Sequence, residues 1–293
     1  MMNQVRGKSE DGITQNDEGL KRRDLLLSGS SLLAASALLG AGFAPPAQAQ
    51  QPAPPPPKTM AHVVTLDAKP SPISIDPAKT AVIVVDMQNE FGSKGGMFDR
   101  AGIDISGIQK AVAPTARVLA FARRAGIRIV YLKMGYRPDL SDLGAPDAPN
   151  RVRHLELLGV GKTIKTPHGK DERVLIRDTW GTDIVEELKP QSDDIVMYKH
   201  RFSGFYQTEL DAVLKQASIK HLIVTGCTTS VCVESTIRDA YFRDYQCVLL
   251  TDCTSEPIGN DAPTSNHDAS VLVMQILFGW VSTSEQFLKA IFP

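Results

Sequence analysis

The sequence predicts an α/β domain: a doubly wound, six-stranded parallel sheet with helices on both faces, a Rossmann-like three-layer sandwich. Three observations carry that expectation. Short continuous apolar runs alternate with segments of helical period through residues 76–293, the pattern of strands buried on both faces by crossover helices. Several runs end in polar or reactive side chains, where parallel sheets place their ligands. The chain has 293 residues, 42% of them hydrophobic, and a formal net charge of −1, which suits one large core.

The first run, residues 81–85, ends in Asp86-Met87-Gln88-Asn89. Residues 108–125 then read as a helix ended by Gly126, and residues 127–132 as the second strand. A long polar stretch with several Gly and Pro, residues 135–179, follows; a connection of that length is expected to be a lid or binding segment. Residues 182–188 read as a short helix, and residues 194–198 as a strand ending in Lys199-His200-Arg201-Phe202-Ser203-Gly204-Phe205. The alternation continues with helix 209–216, strand 221–225, helix 231–244, strand 246–251, helix 262–278, a short strand 280–282 and a closing helix 284–291.

The N-terminal region has a different character. Lys21-Arg22-Arg23-Asp24-Leu25-Leu26 precedes an apolar run rich in Ala, Ser and Gly, then Ala47-Gln48-Ala49. This resembles a twin-arginine export signal over residues 1–49, with a small-residue cleavage site and a periplasmic or secreted product. An uncleaved signal anchor is the competing reading. Residues 50–75, with four consecutive prolines, read as an extended linker and N-terminal extension, and residues 76–293 as the domain. Charge is well mixed, with no basic stripe, so neither nucleic acid nor an anionic membrane surface is an expected partner. The four cysteines, Cys227, Cys232, Cys247 and Cys253, lack C-x-x-C or zinc-ligand spacing, and Cys247 and Cys253 read as buried thiols, with a disulfide bridge as the alternative.

Three strand ends carry chemistry. The strand 221–225 turns through Gly226-Cys227-Thr228-Thr229-Ser230 into a helix with Cys232 in its first turn. Unpaired N–H groups and the helix dipole there are expected to lower the thiol pKa and to hold an oxyanion. Asp86 and Lys199 close two other strands, and strand ends converge on one crevice. A carboxylate can take the thiol proton, and an ammonium beside both stabilises the anions. Each has a plainer reading alone: Asp86 as a helix cap, Lys199 as a solvated charge, Cys232 as core. Phe91, Phe202 and Phe205 follow strand ends and either wall a pocket or fill the core. Arg137, in the long stretch, either binds a substrate carboxylate or carbonyl through its planar fork or is a solvated charge. His168, His200 and His267 show no ligand spacing.

The run Asp86-Met87-Gln88-Asn89, then Lys199-x-x-Phe202-Ser203-Gly204-Phe205 with Thr208 and Leu210, then Gly226-x-x-Thr229-x-x-Cys232-Val233-x-Ser235-Thr236-x-Arg238-Asp239-Ala240, resembles the isochorismatase-like cysteine hydrolases. The resemblance implies an Asp86, Lys199, Cys232 triad: general base, positioning cation and nucleophile. It implies attack on a carboxamide-type carbon, release of ammonia or an amine, and a thioester that water hydrolyses. It also implies a cis peptide at Cys227-Thr228, aiming the N–H of Thr228 with that of Cys232 at the oxyanion, and a homo-oligomer, dimer or tetramer.

Where nicotinamidases of this superfamily carry metal-binding histidines, this chain has Leu132-Lys133-Met134-Gly135-Tyr136-Arg137-Pro138-Asp139-Leu140, so neither metal nor other cofactor is expected. Isochorismatases proper lack the cysteine. Trp180-Gly181, the Lys199 to Phe205 segment and Phe278-Gly279-Trp280-Val281-Ser282 are similar to ureidoacrylate amidohydrolases, whereas residues 135–143 and Asp252-Cys253 are similar to biuret hydrolases. Both imply a small ureido or carbamoyl amide as substrate, cleaved at a carbon–nitrogen bond of a linear amide. Gln275, on the last long helix, either reaches the ureido group or is structural. Two readings of other classes stand beside this one. One is a catalytically silent exported binding protein, which the intact triad disfavours. The other is a nucleotide-binding oxidoreductase, disfavoured because residues 86–98 hold three glycines but no G-x-G-x-x-G.

Overall fold

The computed structural model describes residues 63–259 and 265–292; the expected signal segment and proline tract lie outside them. Strands β1 (Val64–Leu66) and β2 (Ile73–Ile75) pair antiparallel. Leu66 and Ile75 are fully buried in the main core, so the packed body begins ahead of residue 76. Between β1 and β2, Lys69 exchanges backbone hydrogen bonds with Val281, which covers an otherwise open sheet edge.

Strand β3 (Thr80–Val85) is buried along its whole length. Val82 and Val84 face one core, and Ala81, Ile83 and Val85 the other, as the two-residue period of a strand dictates. After the short helical turns α1 (Asn89–Gly92) and α2 (Met97–Arg100) comes α3 (Ser106–Ala125), ended by Gly126 in the left-handed conformation at φ 69°. Strand β4 (Arg128–Met134) follows.

The stretch expected as a long lid or binding segment carries short elements of its own. It contains α4 (Pro149–Glu156), started by proline, and the antiparallel pair β5 (Thr163–Lys165) and β6 (Asp171–Arg173). Tyr136, Leu143 and Leu175 in this stretch are fully buried. Side chains that follow β3 hold its far end: Gln88 donates to the carbonyls of Met134 (2.9 Å) and Thr182 (3.1 Å), and Asn89 to that of Trp180 (2.8 Å). Such short elements, dominated by long-range contacts, leave little periodic signal. The expected helix at 182–188 is likewise two separate 3₁₀ turns, Trp180–Thr182 and Glu186–Leu188.

Strand β7 (Ile195–Lys199), helix α5 (Leu210–Gln216) and strand β8 (His221–Cys227) come next. A π-helical turn, Thr229–Val233, then leads into α6 (Glu234–Tyr241). Strand β9 (Gln246–Ser255), α7 (Asn266–Val273) with a second π-helical turn at Met274–Phe278, β10 (Trp280–Ser282) and α8 (Ser284–Ile291) complete the described chain.

The six-stranded sheet has the order β10-β9-β8-β3-β4-β7, and every neighbouring pair is parallel. Side chains of α3 and α8 pack on one face, those of α5 and α6 on the other. The chain winds from β3 outward through β4 to β7 and then returns to β8 on the other side of β3. The junction of β3 and β8 is therefore the switch point, where carboxyl ends open a crevice.

Candidate active site

Asp86 is the first residue past β3 and adopts a positive φ of 52°, which turns the chain sharply and points its carboxylate across the sheet end. Its N–H donates to Leu132 O (2.9 Å) and its carbonyl accepts from Gln88 N–H (2.7 Å). On the neighbouring strand, Gly226 has φ 115°, and a Cβ there would lie 2.0 Å from Val85 O. Only glycine lets β8 run this close to β3. The peptide Cys227–Thr228 is cis, as the family resemblance implies, and the Cys227 thiol donates to Asp86 O (3.2 Å).

Lys199 ends β7, which is separated from β3 by β4. Its length closes that gap. The ammonium lies 2.7 Å from Asp86 Oδ2, 3.2 Å from Arg201 O and 3.6 Å from Met134 Sδ. All three side chains, Asp86, Lys199 and Cys232, are buried, and both charges act on the Cys232 thiol. Beyond the ion pair, the carboxylate oxygens have no hydrogen-bond partner among the described residues.

The electrostatics correct one expectation. Cys232 sits inside the π-helical turn and is buried, not at the open start of an α-helix. Burial, and then the Asp86 carboxylate, push its thiol pKa well up, against the opposing pull of Lys199. These effects favour the neutral thiol over the thiolate. Burial also raises the Asp86 pKa, against the lowering effect of Lys199, while Asp86 and Cys232 hold the Lys199 pKa up against burial.

A set of side chains without sequence motifs fixes the nucleophile turn. Buried Glu256, just beyond β9, accepts from Ser230 N–H (2.8 Å) and Ser230 Oγ (2.5 Å). Thr229 Oγ1 meets Thr254 Oγ1 and His267 Nδ1, each at 3.0 Å, so His267 has a holding role that its sequence position did not signal. Thr236 Oγ1 donates to Cys232 O (2.7 Å) and accepts from Gly204 N–H (3.0 Å), which ties the Lys199 segment to the Cys232 segment. An open cleft of about 520 Å³ flanks this turn and is lined by Lys110, Arg117, Asp252, Glu256 and His267 among others, but by no member of the Asp86, Lys199, Cys232 cluster.

The remaining candidates scatter. Thr228 is buried beside the cis bond. Phe202 is exposed, with its ring 5.5 Å from that of His154. Phe91 is core, edge-on to Phe98 at 5.1 Å, and Phe205 is stacked on Tyr245 at 5.9 Å under Arg243; packing accounts for both. Arg137 is exposed, its backbone N–H bonded to Asp142 (3.0 Å), and its side chain has no polar partner among the described residues. Gln275 is half-buried in the second π-helical turn, with exposed Ile276 and Leu277 beside it. His168 is edge-on to Trp180 at 6.0 Å, and His200 Nε2 meets Gln207 Oε1 at 3.3 Å. All four cysteines are free and buried. Among the described residues, no group of three or more His, Cys, Asp or Glu is arranged to hold a metal ion.

The isochorismatase domain model matches residues 80–286. The chain belongs to the isochorismatase family. It is 40% identical over 224 residues to ureidoacrylate amidohydrolase RutB of Caulobacter segnis, covering 76% of this chain and 90% of that one. The same enzyme of Methylorubrum extorquens is 40% identical over 228 residues, covering 78% and 89%. Among solved structures, a cysteine hydrolase from Pseudomonas syringae superposes with a TM-score of 0.61 at 29% identity, covering 78% and 97%. N-carbamoylsarcosine amidase from Thermoplasma acidophilum superposes with a TM-score of 0.52 at 25% identity, covering 71% and 97%. This isochorismatase-family chain is thus an enzyme, an amidohydrolase of the cysteine-hydrolase type.

Proposed function

We propose that the chain cleaves a carbon–nitrogen bond of a small ureido or carbamoyl amide, ureidoacrylate-like, through a thioester on Cys232. The observation that carries this reading is the buried Asp86–Lys199 ion pair, 2.7 Å long, whose two charges act on the buried Cys232 thiol. Asp86 takes the thiol proton as sulfur attacks the carbonyl carbon. The carbonyl π electrons move to oxygen, where the N–H groups of Thr228 and Cys232 receive the charge. Collapse re-forms the carbonyl and breaks the C–N bond, and the leaving nitrogen takes the proton from Asp86. Water, deprotonated by the same carboxylate, then attacks the thioester and restores the thiol. Lys199 keeps Asp86 ionised and aimed, because a lone carboxylate this deeply buried would take up a proton. No step calls for a metal or cofactor.

The names of the relatives support a ureido substrate. A panel of ureidoacrylate, biuret, simple amides and nicotinamide, assayed for ammonia release, tests the reading. Turnover of ureidoacrylate supports it, preference for biuret moves the assignment to a biuret-type hydrolase, and silence throughout favours a binding protein. We further propose export of the folded enzyme by residues 1–49, on the strength of Arg22-Arg23, the apolar run and Ala47-Gln48-Ala49.

A further inference from the structure

Two polar atoms near the triad lie buried without partners. Among the described residues the His154 Nε2 and the Tyr136 hydroxyl accept and donate no hydrogen bond, and the Asn150 side-chain amide beside Tyr136 is bonded to Leu143 O at 3.0 Å. His154 projects from α4 and Tyr136 follows β4, two residues past Met134, whose sulfur touches Lys199. Their rings meet edge to face at 5.6 Å, and a second ring neighbour of His154 is Phe202, three residues past Lys199, at 5.5 Å. The imidazole thus lies beside residues that follow β4 and β7, inside the field of Arg201 and Lys199.

The tautomer follows from a single contact. His154 Nδ1 is 2.6 Å from Asn150 O. A carbonyl oxygen only accepts, so Nδ1 carries the hydrogen. Burial and the two cations oppose a second proton on the ring. Nε2 is therefore a bare lone pair, an acceptor with no donor, and a buried unsatisfied acceptor is costly enough that structures retain few.

We propose that His154 is a specificity-determining residue whose Nε2 accepts a hydrogen bond from the substrate N–H on the nitrogen that stays attached to the reacting carbonyl. A ureido group has nitrogen on both sides of its carbonyl: one leaves, and the other presents this N–H. A simple amide has carbon there and leaves Nε2 unpaired. The inference rests on the amidohydrolase reading above and adds to it the residue that separates ureido compounds from amides.

The test compares kcat/KM for an N-carbamoyl compound R–NH–CO–NH2 and for the amide R–CH2–CO–NH2, in the full-length chain and in His154→Phe, His154→Leu and His154→Gln. The expected result is a wild-type preference for the ureido compound that falls about tenfold or more in the Phe and Leu variants. Amide turnover should stay within about threefold, and Gln, which restores an acceptor, should recover part of the preference. Leu decides by the same ratio if Phe does not fold. Equal losses on both substrates, or no wild-type preference, overturn the role of His154 while leaving the amidohydrolase reading intact. A wild type that cleaves neither compound overturns that reading and the inference together.

Discussion

The Lys199 ammonium and the Asp86 carboxylate lie 2.7 Å apart with both side chains almost wholly shielded from solvent. Neither charge is tolerable there alone, since desolvating one ion without its partner costs several kcal/mol. The pair persists as an ion pair because each charge offsets the burial of the other. Their joint field acts on the thiol of Cys232.

Cys232→Ser is expected to lower kcat by at least about 10³-fold, because a hydroxyl is a far weaker nucleophile than the thiolate formed on attack. Circular dichroism and thermal melts should match the wild type. Near-wild-type turnover by pure variant ends the thioester mechanism.

Asp86→Asn separates a resting thiol from a preformed thiolate by sign. Loss of the base is expected to cut kcat about 10²- to 10⁴-fold and to slow alkylation of Cys232 by iodoacetamide. A preformed thiolate would respond in the opposite direction, since removing the Asp86 charge lowers the thiol pKa. Faster alkylation in the variant would favour that alternative.

The pH profile follows from the same group. Burial stabilises the neutral form of Asp86, so its pKa rises above the ordinary 3.8. The reactive form is the carboxylate. The rate kcat/KM is therefore expected to fall as pH drops through a pKa above the ordinary carboxylate range, and Asp86→Asn should abolish this limb. A profile flat down to pH about 4 would contradict a raised pKa at the base.

Gly226→Ala is expected to destabilise the fold by about 3 kcal/mol or more, read from urea denaturation. The position combines φ 115° with a Cβ that would lie 2.0 Å from Val85 O, so both strain and clash fall at the β3–β8 junction. A loss within experimental error would show that the strands can part there.

Arg22→Lys with Arg23→Lys is expected to leave a full-length, folded and active precursor in the cytoplasm, seen by fractionation and immunoblot. Residues 1–49 resemble a twin-arginine signal, a route that exports folded proteins, so Cys232 would be buried before it meets an oxidising compartment. Periplasmic processed enzyme from this variant would exclude the twin-arginine route, and absence of processing in the wild type would indicate an anchor.

The strands were legible in the sequence because most are short, largely apolar runs between turn signals, such as Ala81 to Val85, which is buried along its whole length. Asp86, Lys199 and Cys232 were legible as strand-end residues, since parallel topology alone brings such positions to one edge. The triad motif added order and spacing. What stayed hidden depends on neighbours distant in sequence. The burial that favours a protonated Cys232, the grip of Glu256 on Ser230, and the unpartnered Nε2 of His154 come from side chains dozens of residues apart. Local pattern determined the sheet and the reactive residues, because periodicity and strand ends are properties of a short segment. Tertiary structure decided their protonation and surroundings, because desolvation and hydrogen-bond satisfaction depend on every group that packs around them.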